Sequence, residues 1–167
     1  MLAPHYTFPA GSVLTDAAIE GYRRERHVRA LPSSTSFAAQ RDAVLDWAVQ
    51  RRSGLRIIAA DGSDAGPVRQ GLEVDLRVPI ALGLRLTAPV HVLRVIDGPS
   101  TAGFVYATRP GHPERGEEAF LLHRTLNGPL ELEIRVLSRP SMPFALVAPL
   151  ARVVQRRYTR RYLHALT

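Results

Sequence analysis

The sequence predicts an α+β fold: a single curved antiparallel sheet of about six to seven strands wrapped around a long C-terminal helix, with one further N-terminal helix. Three observations lead there. Several consecutive segments after Gly54 alternate apolar with polar residues, the period of half-buried strands. From about residue 142 to 166 the spacing lengthens to three or four, placing Val147, Leu150, Val154, Tyr158, Tyr162 and Leu166 along one helical face. A sheet with one apolar face needs a cover, and that helix is the obvious one.

Element by element, residues 1–21 mix Pro4, Pro9 and Gly11 with short polar groups and read as an irregular lead-in. Tyr22 to Leu31 fits either a short charged helix or an alternating edge strand; the turn at Pro32-Ser-Ser-Thr-Ser36 favours the strand. Ser36 suits the N-cap of a helix from Phe37 to about Arg52, whose apolar stripe is Phe37, Val44, Trp47 and Ala48, and Ser53-Gly54 ends it. Strands follow at Leu55–Ala60, Leu72–Val78, Ala88–Ile96, Gly103–Thr108, Glu117–Arg124 and Leu130–Leu137. Turns lie at Asp97-Gly98-Pro99 and Asn127-Gly128. The last helix begins near Met142 with Pro143 in its first turn, and Pro149 is expected to bend it.

Composition narrows the function classes. The 167 residues fit one domain with a core of its own. An apolar share of 46% with 22% charged is that of a globular chain, and no apolar run approaches the ~20 residues of a membrane span. Without cysteine there is no disulfide, thiolate nucleophile or cysteine-held zinc. The N-terminus lacks a basic region followed by an apolar stretch, so a cytoplasmic protein is expected. The net charge is +7, and all 22 basic residues are arginine, which reads more simply as coding bias than as a binding signal.

The segment Gly103-Phe-Val-Tyr-Ala-Thr-Arg-Pro-Gly-His-Pro-Glu-Arg-Gly-Glu-Glu-Ala-Phe120 is the densest in chemistry, two strands joined by a turn with His112, Glu114, Glu117 and Glu118 nearby. It closely resembles the glycine-histidine-proline and paired-glutamate signature of DUF1990, an uncharacterised family of bacteria and plants. Gly21-Tyr-Arg, Trp47, Ser138-Arg-Pro140 and Arg161-Tyr162 also look like positions of that family, so the resemblance covers the chain from about Gly21 onward. The chain departs from the pattern at Ala107, where glycine is usual, and at Arg109, where an apolar residue is. The element order is similar to the helix-grip fold of the START and birch-pollen-allergen superfamily. That resemblance implies a lipophilic pocket between sheet and helix.

The leading expectation is therefore a module that binds a small apolar molecule in that space. Strand alternation puts Phe104, Tyr106 and Thr108 on one face and Glu118 with Phe120 on one face of the partner strand; Tyr106, Glu118 and Arg139 would orient the ligand. An alternative is an enzyme using Glu118 or His112 as general acid or base in the same cavity. A purely structural reading stands beside both: proline and glycine set the turn, Glu117 and Arg115 are solvated, and His112 caps a backbone carbonyl. His112, Glu114 and Glu117 have no metal-site spacing, and His123 lies on the face opposite Glu118, so no metal and no cofactor are expected. A third reading uses Arg152, Arg156, Arg157, Arg160 and Arg161 as a basic stripe for nucleic acid or another anionic partner, without an aromatic stacking platform beside it.

Overall fold

The computed structural model describes residues 6–80, 83–141 and 148–166. After a short 3-10 turn at Ser12–Leu14, the elements are β1 (Arg23–Ala30), α1 (Phe37–Leu45), α2 (Ala48–Arg52), β2 (Arg56–Ala59), β3 (Glu73–Pro79), β4 (Arg85–Asp97), β5 (Thr101–Thr108), β6 (Glu114–Arg124), β7 (Leu130–Pro140) and α3 (Ala148–Leu163). The strands form one seven-stranded antiparallel sheet in the order β1-β7-β6-β5-β4-β3-β2. Strands three to seven are consecutive hairpin neighbours, while β1 crosses to pair with β7. Tyr22–Leu31 is thus the edge strand that its alternation suggested.

The expected helix from Phe37 to Arg52 is two helices. Ser36 caps the first, its hydroxyl accepting the Ala39 amide at 3.4 Å. The chain breaks at Trp47, the one described non-glycine residue with positive φ (61°). Holding a bulky residue there is strained. The break turns the indole into the core, where it is fully buried, meets Phe104 edge-on at 4.9 Å and donates from Nε1 to the Gly66 carbonyl at 3.2 Å. Burial of the largest side chain in the protein overrides helix propensity.

Alternation divides the sheet into two faces. Val74, Val90, Phe104, Phe120, Leu132 and Ile134 point inward and join Trp47, Tyr158, Tyr162 and Leu166 in one apolar core. Val105, Ala119, Leu121 and Leu137 point outward into a second, smaller cluster. Two glycines permit close strand packing: a Cβ on Gly103 (φ 151°) would lie 1.9 Å from the Phe120 carbonyl oxygen, and one on Gly116 (φ 151°) 1.8 Å from that of Leu137. β6 and β7 also run longer than alternation suggested, β6 beginning at Glu114 and β7 ending at Pro140.

The described part of α3 lies over the inner face. Arg29 of β1 donates to the Leu163 carbonyl (3.1 Å), Arg52 of α2 to Ala165 (3.1 Å), and Arg161 to Ser53 (3.3 Å). The Tyr158 hydroxyl donates to the Pro79 carbonyl. Regular helix ends at Leu163, earlier than residue 166, with Ala165 and Leu166 buried beyond it. The expected start near Met142 lies outside the described residues; Pro149 stands in the first turn of the described helix.

The lead-in is not idle. It crosses the outer face, where Phe8, Leu14, Ile19 and Tyr22 pack on the second cluster. Its anchor is Glu117, only 2% exposed, whose carboxylate accepts the Tyr6 hydroxyl and the amides of Gly11 (2.8 Å) and Val13 (3.0 Å). The expectation of a solvated Glu117 is overturned: the lead-in covers that face.

Candidate functional site

The inner face carries one polar pair in the midst of its aromatic core. Tyr106 on β5 and Glu118 on β6 are register partners, and the Tyr106 hydroxyl donates to the Glu118 carboxylate. One position along the same faces, Phe104 opposes Phe120, and their rings stack at 5.5 Å. Tyr162 of α3 closes on Phe120 edge-on at 5.4 Å, and Tyr158 follows it at 6.1 Å. The pair therefore sits between sheet and helix, framed by rings.

Its electrostatics are unbalanced. Burial pushes the Glu118 carboxyl up to about 7; the Tyr106 hydrogen bond pulls it partly back, and the charges of Glu114 and Glu25 push it further up. Burial, then the Glu118 charge, raises the Tyr106 phenol well above its ordinary value, and the Tyr162 phenol likewise. Glu114, two positions before Gly116 on the same face, is also raised, chiefly by burial, with a Ser138 hydrogen bond and Arg23 opposing. No ion pair joins Glu118 to a cation among the described residues. A carboxyl near 7 on an apolar face changes protonation within the neutral range and switches between donating and accepting a hydrogen bond.

The expected site residues separate into groups. Tyr106 and Glu118 come together as alternation indicated. Phe104 and Phe120, both fully buried, are packed core beside them. The buried Thr108 hydroxyl accepts the Gly116 amide at 2.9 Å, tying the two strands together. His112 closes its own turn, with Nδ1 accepting the Glu114 amide at 2.9 Å. Arg139 belongs elsewhere: it points to the outer face, its guanidinium 4.8 Å above the Tyr22 ring, so it cannot orient a ligand beside Glu118. Strand parity already contained this, because Arg139 is an odd number of residues from the inward Leu132, Ile134 and Val136.

Other polar groups escaped sequence reasoning. Glu133, 2% exposed on the outer face, binds Arg26, Arg135 (2.7 Å) and His123 (2.7 Å). Gln50 of α2 is fully buried; its position three residues after Trp47, on the apolar stripe, was the available signal. On α3, Arg156, Arg157, Arg160 and Arg161 are exposed, but Arg161 is committed to Ser53 and lies 5.4 Å over the Tyr158 ring. The Arg152 side chain lies outside the described residues. Among the described residues, no group of three or more His, Asp or Glu side chains is placed to hold a metal ion, and no helix is long and apolar enough to cross a membrane.

Known structures share this architecture. A hypothetical protein from Helicobacter pylori superposes with a TM-score of 0.60 over 100% of both chains at 6% identity. The ginseng major latex-like protein 151 from Panax ginseng gives 0.54 at 11% identity, covering 87% of this chain and 98% of that one. Ara h 8.0201 gives 0.50 at 10% identity, over 87% and 99%. Such identities establish the fold alone, and it is the helix-grip fold. By sequence, a UPF0548 protein of Deinococcus radiodurans is 43% identical over 77 residues, 46% of this chain and 39% of that protein, so the match spans about two fifths of that relative's length. One family model, described as "Domain of unknown function (DUF1990)", matches residues 10–165, and the chain belongs to that family.

Proposed function

We propose that the protein binds a small, largely apolar molecule between the inner face of the sheet and α3, with the Tyr106–Glu118 pair holding its polar end. The observation that carries this reading is the pair itself. A carboxyl on an apolar face, without an ion-pair partner among the described residues and with its pKa raised to about 7, is costly as structure and useful as a recognition group. Burial of ligand carbon supplies affinity at ~25 cal/mol per Å² of apolar area, and the pair supplies orientation. Native mass spectrometry of gently purified protein is expected to show a co-purifying small molecule. In parallel, the neutral probe N-phenyl-1-naphthylamine is expected to bind saturably at one site. No bound mass together with no saturable probe binding sinks the proposal.

The same carboxyl favours a second reading, a general acid or base acting on the bound molecule, because a pKa near 7 suits proton transfer at neutral pH. A co-purified molecule that wild type converts and Glu118→Gln binds unchanged separates catalysis from binding. His112 serves its own turn, where Nδ1 accepts the Glu114 amide at 2.9 Å. The arginines of α3 gain no comparable support.

A further inference from the structure

Gln50 is fully buried, yet neither its side-chain nitrogen nor its side-chain oxygen has a hydrogen-bond partner among the described residues. Buried polar groups in folded proteins are nearly always paired, and a primary amide left with both halves orphaned is among the costlier exceptions. Its surroundings explain neither half. Trp47, Val49 and Leu55, its neighbours along the chain, are all apolar core. The residue's own carbonyl is already used by the Ser53 and Leu55 amides, both at 3.1 Å. α2, which carries Gln50, is clamped to the end of the chain by Arg52 on Ala165 and Arg161 on Ser53, and its neighbours Trp47, Ala48 and Val49 belong to the inner core.

We infer that Gln50 is a specificity-determining contact for the molecule bound beneath α3, and that this molecule presents a hydrogen-bond donor and acceptor side by side, as a carboxamide or lactam edge does. An amide complements an amide: the Gln50 N–H groups donate to the ligand carbonyl, and its oxygen accepts the ligand N–H. This rests on the proposed binding function and adds a second polar anchor, on a different element from Tyr106 and Glu118. Sites built to pair buried polar groups discriminate strongly against analogues that lack them.

The test uses two probes of equal tail length, octanamide and N,N-dimethyloctanamide, the second keeping the acceptor but losing the donors. Binding is measured by calorimetry on full-length protein stripped of co-purified material. Octanamide is expected to bind wild type ~10-fold or more tightly, and Gln50→Met, which keeps the length and removes the polar atoms, is expected to erase the preference by weakening octanamide, which loses two hydrogen bonds, more than the dimethyl probe, which loses one. The stripped Gln50→Met protein is expected to be at least as resistant to urea as wild type. Equal binding of both probes to wild type overturns the inference and leaves the binding function standing; no binding of either removes both. A preference that survives in Gln50→Met, or a loss of urea resistance showing that a trapped water satisfies the amide, also overturns it. The wild-type comparison stands alone should the variant not fold.

Discussion

Glu117 and Glu118 are chain neighbours with opposite fates. Strand alternation sends Glu117 outward to three donors from the lead-in and Glu118 inward to a single phenol. The parity was legible in the sequence; the lead-in's contact with Glu117 was not, because those partners are more than a hundred residues away. Two outcomes follow at this scale. Glu118 has a folded pKa raised from 4.5 to about 7, so the folded state holds a proton that the unfolded chain releases between those values. Stability is therefore greatest below about pH 4.5 in this respect and falls as pH rises to about 7, by ~3 kcal/mol. Glu118→Gln is expected to remove that decline, leaving wild type the less stable at pH 8 and the two alike at pH 4, as read by urea denaturation. Glu133 runs the other way. Burial opposes its ionisation, but Arg135 and Arg26 prevail and hold it below the usual range, so its contribution is present above pH 4.5 and lost as acid protonates it. Glu117→Gln leaves an amide group facing donors and is expected to cost ~2 kcal/mol, with faster proteolytic nicking of the lead-in.

Strands were the more legible elements, since each alternating run became a strand of the sheet, with ends shifted by a few residues. The helix at Phe37 was less so. Its stripe was correct, but local pattern could not show that the chain would accept a left-handed residue at Trp47 to place an indole against Phe104 and Gly66. The glycines within strands act at this scale too. Gly116→Ala forces a methyl group into the Leu137 carbonyl and is expected to cost ~3 kcal/mol or more, reported as a lowered urea midpoint. Gly111→Ala, where a Cβ would meet only Pro89 at 3.7 Å, carries the φ penalty without the collision and is expected to cost ~1 kcal/mol.

At the scale of the molecule, the sheet-then-helix order in the sequence anticipated the architecture. The candidate site was legible as Tyr106 and Glu118 and misplaced at Arg139, where parity was not carried through to the strand's end. Trp47 is the sole tryptophan, fully buried in the core shared by α1, α2, α3 and the inner face. Its emission is expected to be blue-shifted in the native state and to move red in one transition coincident with the loss of circular dichroism; separate transitions would mean that the helices come away before the sheet. The strand order also leaves β1 at one border, and that border is built from Arg23, Arg24, Glu25, Arg26, His27 and Arg29. Two molecules approaching seam to seam would bring guanidinium against guanidinium, so the unpaired rim of this strongly cationic chain resists fibrous stacking and favours dispersal at high concentration.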